Sequence, residues 1–402
     1  MTANDIYAGL GVKRRINAAG TLTRLGGALM APEVVAAMAA AARASVDIAE
    51  LQAAASRTIA RLTGAEAGMV TTGAAAALTL ATAASMTRWD VARMAALPHA
   101  ADFPHEVIIP RTHRTGYSHA FAAAGARLID IGHNDRGTGA GVRGIEAWEI
   151  EAAIGPRTAA FAFSANIDSV RDLPLVAEVC RARGIPVIVD AAAQLPPKAN
   201  LRRFVELGAD LVAFSGGKAI GGPQASGILA GRRDLVGAAL VQQIDMDVSP
   251  ATWSPPDLID RTKLTGVPHH GIGRGFKAGK EEIVGLLVAL ERFVTSDDDA
   301  LNAVLQRRLE IMARAIEGTR GLSTRVVPAS VTGRIPVLEL AVDPAGAGCT
   351  ALELSGRLQQ GDPPVHVSER HSARGVLTVD PQVLQAEDDA PLAAAVRRAL
   401  GS

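Results

Sequence analysis

Residues 186–223 read PVIVDAAAQLPPKANLRRFVELGADLVAFSGGKAIGGP. Pro186 to Asp190 is a short apolar run closed by an acid, the pattern of a strand buried on both faces. Leu201 to Leu207 predicts a helix, and Asp210 to Phe214 a second buried strand that runs straight into Ser215-Gly216-Gly217-Lys218. Strand, helix and strand in immediate succession make a right-handed crossover unit, and such units build parallel sheets covered by helices on both faces.

The alternation extends outward from this unit. Gly68 to Thr71, Glu106 to Ile109, Arg127 to Ile131, Ala159 to Phe163 and Ser226 to Ala230 read as further strands. Helices are expected at Tyr117 to Ala124 and Pro174 to Arg183, and from Pro32 to Thr63-Gly64 with a break near Ser45 to Asp47. The fold class is therefore α/β, with a mainly parallel seven-stranded sheet sandwiched by helices. From Gly285 the order changes to helix, strand, strand, helix, strands and helix, the pattern of a smaller α+β C-terminal domain. The expected division is an N-terminal segment 1–40, a large domain 41–284 and a small domain 285–402. Ser296-Asp297-Asp298-Asp299 reads as a solvated loop or helix cap, without the glycine and glutamate of a calcium loop.

Composition narrows the function. Of 402 residues 48% are hydrophobic and 20% charged, enough apolar material for a large core. Lys plus Arg and Asp plus Glu both total 41, so net charge is +0. That balance speaks against a partner that is nucleic acid or an anionic membrane. Cys180 and Cys349 cannot form a disulfide framework, and no Cys/His spacing suits structural zinc, so no metal is expected and a reducing, cytoplasmic location fits. The N-terminus lacks the apolar core of a signal peptide. The uncharged run Ala67 to Thr87 is long enough to span a bilayer. It is Ala, Thr and Gly rather than Leu, Ile and Phe, so it reads as buried strand, turn and helix.

Ligands of such sheets bind beyond the carboxyl ends of the strands, and four features lie there. Thr72-Gly73-Ala74-Ala75 joins a strand to a helix through small residues, leaving backbone N–H groups open to a phosphate. Asp190 ends a strand, where it would either hold a cationic ring nitrogen or cap a following helix. Lys218 stands among glycines, where a bulky carbonyl group can approach and form an imine with its amine; the alternative is a flexible surface loop. His113, in Arg111-Thr112-His113-Arg114, offers a flat ring to stack on a planar cofactor, or is simply structural. A P-loop is excluded because Val212 stands where glycine is required and Ala219 where Ser or Thr is. Gly139-Ala140-Gly141-Val142-Arg143-Gly144 matches the dinucleotide fingerprint formally, but position 164 is serine rather than an acid, which argues against a nicotinamide site. His269-His270 is too closely spaced for ligation from one helix face.

Jointly, a phosphate cradle, a stacking ring, an acid for a ring nitrogen and a lysine 28 residues beyond that acid describe a site for pyridoxal 5'-phosphate. The chain resembles the bacterial selenocysteine-synthase-like family of fold type I enzymes, which have the aspartate aminotransferase-like fold. The resemblance runs through Ile16-Asn17-Ala18-Ala19-Gly20-Thr21-Leu22-Thr23-Arg24-Leu25-Gly26-Gly27, the Asp190 strand, Ser215-Gly216-Gly217-Lys218 with Gly221-Gly222-Pro223-Gln224, and Gly361-Asp362-Pro363-Pro364. It implies Lys218 as the covalent cofactor lysine, Asp190 as partner of the pyridine nitrogen and His113 as the stacking ring. Thr72, Gly73, Ala74 and Ser215 correspond to phosphate-binding positions. Gln194 corresponds to a glutamine near the cofactor's 3-oxygen, one residue further from the aspartate than is usual. The resemblance also implies homodimers or larger rings with shared sites, to which Gly273-Arg274-Gly275-Phe276-Lys277 and His270 would contribute, chiefly Arg274 and Lys277 toward a neighbour's phosphate.

Two departures accompany it. Family members often read Asp-Leu-Arg-Thr where this chain has Val379-Asp380-Pro381-Gln382, so an arginine for the substrate carboxylate is missing and Arg24, Arg370 or Arg374 would replace it. The tRNA-binding N-terminal extension of selenium transferases is absent, so a small amino acid, sugar-derived or D-configured, is the expected substrate. The expected reaction is α,β-elimination to a 2-oxo acid and ammonia. Racemisation or aldol cleavage starts from the same stabilised carbanion, and a non-catalytic ligand-binding protein is the rival reading that Lys218 and Asp190 speak against.

Overall fold

The computed structural model describes residues 3–133 and 144–401. Residues 139–143 of the dinucleotide-like fingerprint lie outside this range. The chain forms two units, Met30–Val294 and Met1–Leu29 with Thr295–Ser402. The expected boundaries 40/41 and 284/285 fall inside the helices Pro32–Ala41 and Lys280–Thr295. Both helices belong with the larger unit because Val34 of the first and Ile283, Leu286, Ala289 and Leu290 of the second enter its core.

In chain order the strands are β1 (Ile16–Ala18), β2 (Ala67–Thr71), β3 (Glu106–Pro110), β4 (Arg127–Ile131), β5 (Thr158–Ser164), β6 (Val187–Asp190), β7 (Leu211–Ser215), β8 (Gly227–Gly231), β9 (Leu322–Val327), β10 (Val337–Val342), β11 (Val365–Val367) and β12 (Val376–Val379). The larger unit is built on a seven-stranded sheet in the order β2-β8-β7-β6-β5-β3-β4. Only β8 runs antiparallel to its neighbours, β2 and β7.

Strand alternation divides the core in two. Ala160, Ala162 and Ala213 face one layer, and Phe161, Phe163 and Phe214 face the other. The alanine face receives the helix Ala74–Thr87, in which every residue but Ala75 is buried. Small side chains on both surfaces let this helix lie close to the strands, which explains an uncharged run with no amphipathic period. Among the described residues no helix is long and apolar enough to cross a membrane.

The smaller unit holds an antiparallel sheet β12-β10-β9 and a parallel pair β1-β11. The N-terminal segment joins it through Ile16 opposite Val365 and Ala18 opposite Val367. Asp297 accepts hydrogen bonds from the N–H groups of Asp299 and Ala300, both at 3.0 Å, and caps the helix Asp298–Ile316.

Candidate active site

Three parallel strands end together at the centre of the larger sheet. Asp190, last in β6, is paired with Ser164 of β5 and Ala213 of β7. Its Oδ1 accepts from the Ala192 N–H at 3.0 Å, and the next helix begins only at Asn200, so Asp190 closes a local turn and caps no helix. Burial pushes its pKa up, opposed by that N–H and by the charge of Lys218 nearby. A desolvated carboxyl group beside an amine suits a protonated ring nitrogen, whose charge would offset the cost of burial.

Lys218 is half-buried in the turn that follows β7. That turn is tightly packed, which removes the flexible-loop reading. A Cβ on Gly217 would lie 2.5 Å from Gln224 Cα, and one on Gly216 would lie 2.2 Å from Ser226 Oγ. The Gly222 N–H donates to the Gly216 carbonyl and the Gly221 N–H to the Lys218 carbonyl, both at 2.9 Å. Glycine is required here for close approach, and the lysine is held in place as a result.

The expected phosphate cradle lies one strand away. Gly73 adopts φ +94° and starts the helix Ala74–Thr87 without a side-chain cap. Gly227 of β8 pairs with both Thr71 and Ser215. A Cβ on Gly227 would lie 2.4 Å from the carbonyl carbon of Gly73, so this glycine brings the helix N-terminus and Ser215 to one place. Open N–H groups, a dipole end and a hydroxyl are the donor set a phosphate takes. Thr72 Oγ1, by contrast, donates to the Phe276 carbonyl at 3.1 Å. The 273–277 loop therefore lies against the cradle of its own chain. Arg274 pairs with Asp245, and His270 Nε2 lies 3.5 Å from Asp245 and 3.8 Å from Asp247 at the surface. Lys277 lines a cavity of about 760 Å³ together with Asp47 and Glu281.

His113 is buried at 4% exposure in the turn after β3. Burial pushes its pKa down to about 4, so the ring is neutral at pH 7. Its Nδ1 accepts from the Ser164 N–H at 3.3 Å, and its edge meets Phe163 with ring centroids 4.6 Å apart at 84°. Gln194 has its carbonyl occupied by Asn200 Nδ2 at 2.7 Å.

The aminotransferase class-V family model matches residues 120–318. The chain is 31% identical to D-glucosaminate-6-phosphate ammonia lyase of Salmonella typhimurium, across 99% of this chain and 98% of that one. It is 31% identical to a 5'-C-glycyluridine monooxygenase-decarboxylase of a Streptomyces species, across 95% and 89%. An L-seryl-tRNA(Sec) selenium transferase of Nitratidesulfovibrio vulgaris shares 28% across 97% and 82%. A solved structure of D-glucosaminate-6-phosphate ammonia-lyase superposes with TM-score 0.81 at 30% identity over 100% of this chain and 99% of that one. The chain belongs to the selenocysteine-synthase-like family. Its members are pyridoxal-phosphate enzymes of fold type I, and this chain is one of them.

The arginines expected to serve this family's carboxylate chemistry sit in the smaller unit and differ from one another. Arg24 lies in the turn Thr23–Leu25, near His366, whose pKa is lowered chiefly by burial and then by the charges of Arg24 and Arg15. Arg374 Nη2 meets His371 Nδ1 at 2.6 Å. Arg370 lines a polar cavity that also contains Arg334, which the sequence reading overlooked. Arg334 follows Gly333 before β10 and belongs to no motif, so only the fold reveals it.

Proposed function

We propose that the protein is a lyase that removes ammonia from a small β-hydroxylated amino acid of sugar-acid type, D-configured at Cα, giving a 2-oxo acid. One observation carries the reading: a desolvated Asp190, a glycine-packed Lys218 and a buried neutral His113 lie at the carboxyl ends of the parallel strands β6, β7 and β3 of one sheet, in a chain 31% identical to an enzyme named for that reaction.

When bound, pyridoxal 5'-phosphate supplies an electron sink that stabilises negative charge at Cα. Lys218 Nζ would hold the cofactor covalently and, once freed, would be the general base for the Cα proton. Asp190 keeps a proton on the ring nitrogen. His113 would offer an uncharged imidazole to the ring, and Gly73, Ala74 and Ser215 would hold the phosphate, with Thr72 fixing the turn. Gln194 would be the candidate for the 3-oxygen. Among the smaller unit's arginines, Arg24, Arg370 and Arg374 are candidates for the carboxylate. Overall, loss of the β-hydroxyl as water and uptake of one water would turn the substrate into the 2-oxo acid and ammonia.

A homo-oligomer is part of this reading, with the 273–277 loop serving the cradle of its own chain, against which Phe276 lies. Two buried free cysteines support a cytoplasmic location.

The test is visible absorbance and ammonia release from wild type beside Lys218→Ala. A visible band that borohydride fixes in wild type and that vanishes in the variant is expected, with ammonia formed from D-glucosaminate-6-phosphate or D-serine. Cofactor-supplied wild type with neither band nor ammonia would overturn the proposal.

A further inference from the structure

β2, which leads into the phosphate cradle, is an edge strand of the larger sheet. On its outer side the helix Ile48–Thr63 supplies what a neighbouring strand would. Gln52 Oε1 accepts from the Val70 N–H at 2.9 Å, and Gln52 Nε2 donates to the Val70 carbonyl at 2.8 Å. One helical turn on, Ser56 Oγ accepts from the Gly68 N–H at 3.1 Å. Residues i and i+4 of a helix stand roughly 6 Å apart along its axis, close to the span of residues i and i+2 in a strand, so the two spacings match. Gly68 permits the approach, since a Cβ there would lie 2.3 Å from Ile59 Cγ2.

The hydrogen bonds are directional and lead onward. A side-chain amide carries two N–H donors and one oxygen acceptor. Val70 fixes which way the Gln52 amide faces, and its Nε2 also donates to Gln243 Oε1 at 3.1 Å. That contact orients the Gln243 amide in turn, and Gln243 Nε2 donates to the Phe276 carbonyl at 3.0 Å. The same carbonyl accepts from Thr72 Oγ1 at 3.1 Å, so both of its lone pairs are used. The path has then returned to the end of β2, immediately before Gly73 and Ala74. Gln52 and Gln243 are both buried, where a lost partner is costly because water cannot replace it.

We infer that Gln52 and Gln243 are positioning residues for the phosphate cradle. Through Val70, Phe276 and Thr72 they hold the strand end and the 273–277 loop at one separation, which fixes the helix N-terminus at Gly73 and Ala74. A phosphate is held by several donors at once, and donors free to shift apart lose that advantage. The inference rests on the reading of Gly73, Ala74 and Ser215 as the place of the cofactor phosphate.

The test sets pyridoxal 5'-phosphate against pyridoxal, which lacks the phosphate but can still react with Lys218. Full-length wild type, Gln243→Leu and Gln52→Leu, each freed of cofactor, would be titrated with both compounds while the visible band is followed. Leucine keeps the bulk and removes the hydrogen bonds. Affinity for pyridoxal 5'-phosphate should fall by about 10-fold or more in each variant, with affinity for pyridoxal within about twofold of wild type. A merely structural role would weaken both compounds alike. That result, or unchanged affinity for pyridoxal 5'-phosphate, would overturn the inference. A second measurement needs no variant. Adding pyridoxal 5'-phosphate to wild type should slow hydrogen exchange at residues 272–277 together with 70–76, read by mass spectrometry. Slowing confined to 70–76 would overturn the inference as well. Wild type that binds pyridoxal as tightly as pyridoxal 5'-phosphate would instead remove the cradle reading, and the positioning role with it.

Discussion

The strand ends of the larger unit and the cavity of the smaller one solve different problems. At the strand ends polar groups are few, half-buried or buried, and packed among glycines that admit no side chain. In the smaller unit's cavity charged groups are many, and they are placed by turns and capping hydrogen bonds. The first arrangement suits a cofactor whose shape never varies, where precise contact with each atom is rewarded. The second suits a substrate group recognised mainly by charge, which several arginine positions can supply.

Lys218→Ala should have the largest effect, since on the proposed reading it removes both the covalent anchor and the base: ammonia release should fall by about 10³-fold or more. Asp190→Asn should come next. It keeps the shape but removes the charge that holds a ring proton, so kcat should drop by about 10²-fold while the visible band persists at shifted wavelength. If Asp190→Asn were harmless, the strand ends would be no more specialised than the arginine cavity.

Gly227→Ala tests the packing side of the contrast. The new methyl would press on the Gly73–Ala74 peptide, and overpacking of this kind costs about 1–3 kcal/mol. A lower thermal midpoint and weaker cofactor retention should appear together. Gly333→Ala, outside that packing, should leave cofactor retention untouched.

His113 gives the contrast a pH dependence. Its folded pKa of about 4 lies below the ordinary value of about 6.5. Above pH ~6.5 neither state takes up a proton there. Between about 6.5 and 4 the unfolded chain binds a proton that the native state refuses, so stability falls by about 1.4 kcal/mol per pH unit at most. Urea titrations across that window should show the slope in wild type and its loss in His113→Asn. The smallest effect is expected from Asp297→Ala, which removes a helix cap from the smaller unit. It should lower stability by about 1 kcal/mol with cofactor binding unchanged.

The reading of the larger sheet from sequence was close, because buried parallel strands are short apolar runs whose period survives without knowledge of neighbours. Ala159 to Phe163 and Asp210 to Phe214 each lie within a residue of the strands found. The unit boundaries were harder. Whether Pro32–Ala41 and Lys280–Thr295 belong to one unit or another depends on where Val34 and Leu286 are buried, and amphipathic helices carry no label of their partner.

The sequence by itself determined the α/β class and the order of the strands along the chain, because residue type and spacing encode them locally, and it singled out Asp190 and Lys218 at two strand ends. Tertiary structure alone decided that Gly227 joins the helix N-terminus to Ser215, that the 273–277 loop lies on its own cradle, and that Arg334 stands beside Asp380. Each of these is a meeting of residues far apart in the chain, fixed by sheet register and packing rather than by any local pattern.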